Sequence, residues 1–290
     1  MGARIQVKEM KLLYIPLTTA TPQTDDLYKA FCKRCEVQWF WDNETIQNPD
    51  IIYSHSGGIN PDVLRVLKRE FKKCIITQWT GDYRSEGLNY YQQAGKYCDI
   101  NFKADTANLY PELNCKFLPH GVADWQFREI NPEAKGIIFI GNAYTHLPGG
   151  KERFELCQQL SKRNDFTWVG TGGNPEHIDF KEIPDWYNRH KFAISANLYY
   201  DAPGWFGNRP LMAMAAGCCT IIRKFPENDL FTDGISCMTY ARNNEVTKFF
   251  DVLNIEVRGT SRERIAKAGQ QLVRDNFTYD KIVDSYLKQL

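Results

Sequence analysis

Short apolar runs alternate along the chain with longer stretches in which apolar positions recur every three or four residues, and the two periods predict strands and helices in turn. In the first half the strand candidates are residues 11–17 (KLLYIPL), 37–41, 50–54, 74–78, 99–102 and 115–118. Helices are expected over 24–35, with Thr24 as N-cap and Asp25 and Asp26 in the first turn, over 61–72, and through most of 87–113. The second half repeats the alternation. Its strands are expected at 136–140, 166–169, 192–196, 218–223 and 237–240. Its helices are expected at 151–160, 185–190, 210–216, 245–253, 262–275 and 279–290, with a short helical turn starting at 227–230. Strand and helix in alternation imply an α/β fold, parallel sheets with helices on both faces.

Pro, Gly and charged residues gather at 123–135, which reads as a linker between two domains. The expected division is an N-terminal Rossmann-like domain at 1–125, a second at 126–275, and a last helix at 276–290 returning to the first. The 290 residues, 43% apolar and 13% aromatic, suffice for two cores. A net charge of +1 predicts neither an acidic tail nor a basic nucleic-acid coat. No apolar run is long enough for a membrane span, and the start, MGARIQVKEM, is too polar for a signal peptide. The nine cysteines, an odd number mostly in apolar segments, suit reduced thiols, and a cytoplasmic location is expected. Cys32 and Cys35 form a C-x-x-C without the second pair that a zinc site needs.

Candidate chemistry concentrates where strands end, because ligands of wound parallel sheets bind beyond the carboxyl ends. Asn208 and Arg209 precede the apolar run 210–216, which opens on Pro210 and stops at Gly217. That stretch reads either as an anion receptor, a guanidinium at a helix mouth, or as a buried Ala/Met helix behind a surface arginine. Gly141 and Asn142 follow a strand, Lys151 and Arg153 open the next helix, and Gly170 and Thr171 close another strand. These are candidates for holding phosphates and a nucleoside. Neither a dinucleotide fingerprint nor a P-loop is present. In the first half, Asp82 and His55 are candidate bases, and Gly57, Gly58 and Trp79 candidate acceptor contacts. The plain alternatives are a packing role for His55 and a turn pair between Asp82 and Arg84. His120, at the domain junction, either holds the donor or caps a strand. Arg65, Lys68, Arg69, Lys72 and Lys73 form a basic helix face, solvated or in contact with a polyanion. No D-x-D or His/Asp set marks a metal site.

Several motifs recur in a familiar order: F-I-G-N at 139–142, Tyr187 before a strand, N-R-P-L-M-A-M-A-A-G at 208–217, D-L-F-T-D-G at 229–234, and I-A-K-A-G-Q-Q-L-V-R-D-N-F-T-Y-D at 265–280. With L-P-H-G-V-A-D at 118–124, this order resembles the GT-B fold glycosyltransferases, in particular the CgeB-like and family-4-like (glycosyl transferases group 1) enzymes. The resemblance implies two Rossmann-like domains with parallel sheets facing across a cleft, a nucleotide sugar in the second domain and an acceptor in the first. It implies a UDP-sugar co-substrate, a donor contact at Tyr187 and no obligatory metal or other cofactor. One departure stands out, since the family's ribose-binding glutamate is replaced by Met212. The expected function is transfer of a hexosyl or pentosyl group from a nucleotide-diphosphate sugar to an acceptor hydroxyl. Two alternatives stand beside it: the same chemistry on hydroxymethylated bases of phage DNA, with DNA as partner, and a two-domain sugar-phosphate-binding protein without catalysis.

Overall fold

A computed structural model of the chain describes residues 10–16, 22–41, 48–55, 60–83, 87–256 and 259–290. The chain divides into two compact units, Met1–His120 with Tyr279–Leu290, and Gly121–Thr278.

The first unit is built on a six-stranded parallel sheet in the order β2-β1-β3-β4-β5-β6. The strands are β1 (Lys11–Ile15), β2 (Glu36–Trp39), β3 (Ile51–His55), β4 (Ile75–Thr80), β5 (Ile100–Lys103) and β6 (Cys115–Phe117). β1 and β3 pair Leu12 with Ile51 through Ile15 with Ser54, so the winding changes direction between them. Leu13, Ile15, Ile52 and Ile76 meet Leu64 and Leu67 of α2 (Pro61–Glu70) and Ala94 of α3 (Asn89–Gly95) in one apolar layer. α2 starts where it does because the Asn60 side chain accepts from the Asp62 N–H and Pro61 occupies its first position. An aromatic layer joins Tyr14, stacked on Tyr53 at 5.4 Å, to Phe31 of α1 (Pro22–Cys32). The last helix, α9 (Tyr279–Lys288), belongs to this layer. Its Tyr286 is fully buried against Phe31, Tyr53 and Phe102, and its hydroxyl lies 2.7 Å from that of Thr77.

The expected long helix over 87–113 is reduced to α3, and residues 104–114 hold neither helix nor strand. Local bonds supersede the helical ladder there. Lys103 and Asp105, both nearly inaccessible, pair at 2.7 Å; the Asp105 carboxylate accepts from Ala107 N–H, and the Tyr110 hydroxyl from Leu88 N–H.

The second unit carries a five-stranded parallel sheet in the order β11-β10-β9-β7-β8. Its strands are β7 (Ile137–Ile140), β8 (Phe166–Val169), β9 (Phe192–Ser195), β10 (Cys219–Arg223) and β11 (Met238–Tyr240). The helices are α4 (Gly150–Leu160), α5 (Ile183–Asn188), α6 (Asn208–Ala215), α7 (Asn243–Glu256) and α8 (Gly259–Asn276). Ile137, Phe139, Phe192, Ile194, Cys219 and Ile221 pack against Leu156, Leu160, Val246, Phe250 and Ile265 from the helices. The sheet changes winding direction between β7 and β9, which pair at Ile137–Phe192 and Ile138–Ala193. The expected helical turn at 227–230 is absent, because Glu227 sits at φ +55 and turns the chain out of any right-handed helix.

Candidate functional site

The crevice of a wound sheet opens where the winding reverses, and in the second unit that point lies between the ends of β7 and β9. Arg153 of α4 spans it. Its guanidinium donates to Asn142 O at 2.8 Å, beyond β7, and to Ala196 O at 2.8 Å through Nε, beyond β9. The side chain is 1% exposed and lies 5.6 Å from the Phe139 ring centroid. Burial, and then the charge of Arg209, lowers its pKa to about 9. Arg153 therefore fixes the two strand ends and does not present itself to a ligand, unlike the donor-phosphate contact expected of it.

Arg209 is the arginine that solvent partly reaches. α6 starts at Asn208, earlier than expected, so Arg209 lies in the first helical turn instead of before it. Gly207 at the N-cap supplies no side-chain bond, which leaves the first-turn N–H groups for solvent or a ligand. The helix ends where Gly217 adopts φ +77 and Cys218 N–H returns to Ala213 O at 3.0 Å. The Arg209 guanidinium rests on Gly141, where a Cβ would come within 2.9 Å of its Nε. Solvent reaches part of the side chain, but protein surrounds the rest; burial lowers the pKa, against an opposing pull from Tyr187 and Tyr144. Among the described residues Arg209 makes no hydrogen bond or ion pair, so its charge lacks a protein counter-ion.

The neighbouring loops are tied to one another. Asn142 accepts from Thr171 N–H at 2.9 Å and donates to the Tyr144 hydroxyl at 2.7 Å. Gly170, at φ +124, lies so close that a Cβ would come within 2.4 Å of Gly141 O. Trp168 Nε1 donates to that same oxygen at 3.1 Å. Tyr187 is 2% exposed and supports Arg209 from within, its hydroxyl pKa raised by burial. Lys151 and Thr171 are exposed. Arg209, Gly141, Asn142, Gly170 and Thr171 thus form one locality, with Asn208 opening the helix behind them.

In the first unit His55, Trp79, Gly81 and His120 come together. His55 meets the Trp79 ring edge-on at 4.8 Å, and Trp79 meets His120 at 5.3 Å. His120 Nε2 lies 3.1 Å from Gly81 O. Some of the His120 ring meets solvent, yet burial holds its pKa below the usual value, opposed by Gly81 and by the charge of Asp82. Asp82 is exposed, its N–H donating to Thr80 Oγ1 at 3.3 Å. Gly57, Gly58 and Arg84 lie outside the described residues. On α2, Arg65 pairs with Asp62, Lys68 with Asp99 and Arg69 with Glu70, so most of the basic face is neutralised.

Sequence reasoning did not select Tyr144, Asn197, Tyr200, Arg223 or Tyr240. Tyr144 is 41% exposed beside Arg209, and Arg223 packs on Tyr200. The sequence points to them only in that Arg223 and Tyr240 end strand runs and that Tyr144, Asn197 and Tyr200 follow strands. No described helix is long and apolar enough to cross a membrane.

Residues 153–288 match the family model described as glycosyl transferase-like. No curated protein matches the sequence. Among solved structures, Anabaena HepE in complex with UDP-glucose is 13% identical, covers 97% of this chain and 100% of its own, and superposes with a TM-score of 0.67. Sucrose-phosphate synthase from Thermosynechococcus elongatus is 11% identical with a TM-score of 0.66, covering 97% of this chain and 98% of its own. A glycosyltransferase from Rickettsia africae is 13% identical with a TM-score of 0.61, covering 97% of each. The chain has the GT-B fold, with two wound parallel-sheet units as in these structures, and its residues 153–288 are glycosyl transferase-like in sequence.

Proposed function

We propose that the protein transfers a sugar from a nucleotide-diphosphate sugar, a UDP-sugar, to an acceptor hydroxyl. The observation that carries this reading is Arg209, half-buried on Gly141 at the first turn of α6 with no carboxylate partner among the described residues. A departing diphosphate gains negative charge as the sugar becomes oxocarbenium-like, and a preorganised guanidinium with helix N–H groups stabilises that charge. The family match over 153–288 includes α6 and supports the same chemistry. So does the UDP-glucose complex of a protein with this fold.

In the reaction the anomeric carbon–phosphate oxygen bond breaks and a bond to the acceptor oxygen forms. The acceptor proton passes to Asp82, or to His55, in an inverting path; in a retaining path the departing phosphate takes it. The nucleoside lies along Gly170 and Thr171, and Asn142 orders that loop through its bond to Thr171 N–H. His120 positions the Gly81–Asp82 turn. Three of the five basic residues at 65–73 are paired with carboxylates, which weighs against a polyanionic acceptor such as DNA. UDP release from a panel of UDP-sugars tests the reading. Turnover that is lost in Arg209→Ala supports it. Nucleotide binding without turnover for any donor and acceptor favours a sugar-phosphate-binding protein, and turnover undiminished in Arg209→Ala refutes the assigned site.

A further inference from the structure

The ends of β9, β10 and β11 carry a second polar cluster, one that the diphosphate does not use. Arg223 ends β10, is 8% exposed, and holds its guanidinium 3.4 Å from the centroid of the Tyr200 ring. Its register partner at the end of β11 is Tyr240, 2% exposed. On the other side β10 pairs with β9 up to Ile222 and Ser195, and Asn197, 4% exposed, follows just beyond. Arg223 Nε, Tyr240 OH and Asn197 Nδ2 are all buried, and none meets a hydrogen-bond partner. Each carries a hydrogen to donate. The carboxylate of Glu152 accepts from the Tyr200 hydroxyl at 3.4 Å, and no ion pair joins Arg223 to any described acid. Buried donors without acceptors are costly, so a cluster of them suits an oxygen-rich occupant.

We infer that Arg223, Tyr240 and Asn197 form a subsite for a carboxylate on the transferred sugar, making the donor a nucleoside diphosphate uronic acid. The inference rests on the nucleotide-sugar reading above. A guanidinium seated over an aromatic ring is held in place, and its planar fork of N–H groups matches a planar carboxylate. The phenol and amide beside it are neutral donors, suited to a single negative charge more than to a second phosphate dianion. Arg153 adds positive potential to the same strand ends while its own hydrogen bonds go to backbone oxygens.

Titration calorimetry of the full chain with UDP, UDP-glucose and UDP-glucuronic acid tests this. The wild type is expected to bind UDP-glucuronic acid at least about tenfold more tightly than UDP-glucose, the scale of one charge-assisted contact. Arg223→Gln brings that ratio close to one, and Tyr240→Phe, which keeps the ring, lowers it several-fold. Should Arg223→Gln fail to fold, the wild-type ratio and Tyr240→Phe still decide. Equal affinity for the two sugars in a protein that binds UDP overturns the carboxylate subsite alone and leaves its donors to water. Failure to bind UDP overturns the nucleotide-sugar reading and this inference with it.

Discussion

Two arginines a helix apart show how burial divides labour at one site. Arg153 is spent on two backbone oxygens and is a structural strut, whereas Arg209 has its charge unspent. Arg209→Ala is therefore expected to cut kcat/KM for UDP-sugar turnover by about 10²–10³-fold, the cost of losing one preorganised donor to developing charge, with little change in melting temperature. Gly170→Ala acts differently. At φ +124 and 2.4 Å from Gly141 O, a methyl forces the two loops apart, and thermal denaturation should register a loss of about 1–3 kcal/mol. His120 makes stability depend on pH. Its folded pKa lies below the ordinary 6.5, so its contribution is fully present above that value and is lost as pH falls toward the folded pKa. Urea unfolding between pH 7 and pH 5 should show a smaller decline for His120→Gln than for the wild type. His190, shifted in the same direction, keeps part of the decline in the variant. Arg209 was legible in the sequence because local signals surround it: Pro210 after it, an apolar run, then Gly217. Arg223 and Tyr240 were not, since their proximity arises from strand register and no local pattern records it.

The elements follow from the chain where apolar runs are bounded by turn residues. β1, β3, β7 and β9 are continuous buried runs and lie within two residues of their expected limits. Elements were misjudged where a side chain competes with the backbone, as Asp105 does after β5, or where an unusual dihedral intervenes, as at Glu227. α9 shows what periodicity leaves out. It reads as an ordinary amphipathic helix, yet its Tyr286 fills the middle of the aromatic layer with four ring or hydroxyl neighbours, Phe31, Tyr53, Phe102 and Thr77. Tyr286→Ala should cost about 3–5 kcal/mol in denaturant unfolding, the usual range for a large aromatic removed from a packed core. The ion pairs at the rim of the same helix, Lys33–Asp280 and Arg34–Asp284, are partly exposed and add much less.

For the whole molecule, the two sheets share a winding pattern but carry different chemistry at the carboxyl ends of their strands. The second unit presents cations and glycine loops, and the first presents His55, Trp79 and His120. Saturating UDP should therefore protect backbone amides unevenly in hydrogen exchange. Slowing is expected at 141–142, 170–171 and 207–209, with an apparent stabilisation of about 2.7 kcal/mol when UDP stands at 100 times its Kd. Protection confined to the first unit contradicts the donor assignment.

The return of residues 279–290 to the first unit has a consequence for biosynthesis. During translation the segment up to His120 emerges early but lacks Tyr286, Ile282 and Val283, so its aromatic layer stays open to water while the rest of the chain is made. The second unit is contiguous, and its last residue, Thr278, is synthesised before the segment that closes the first. The unfinished N-terminal sheet is the stage at which a chaperone has most to shield.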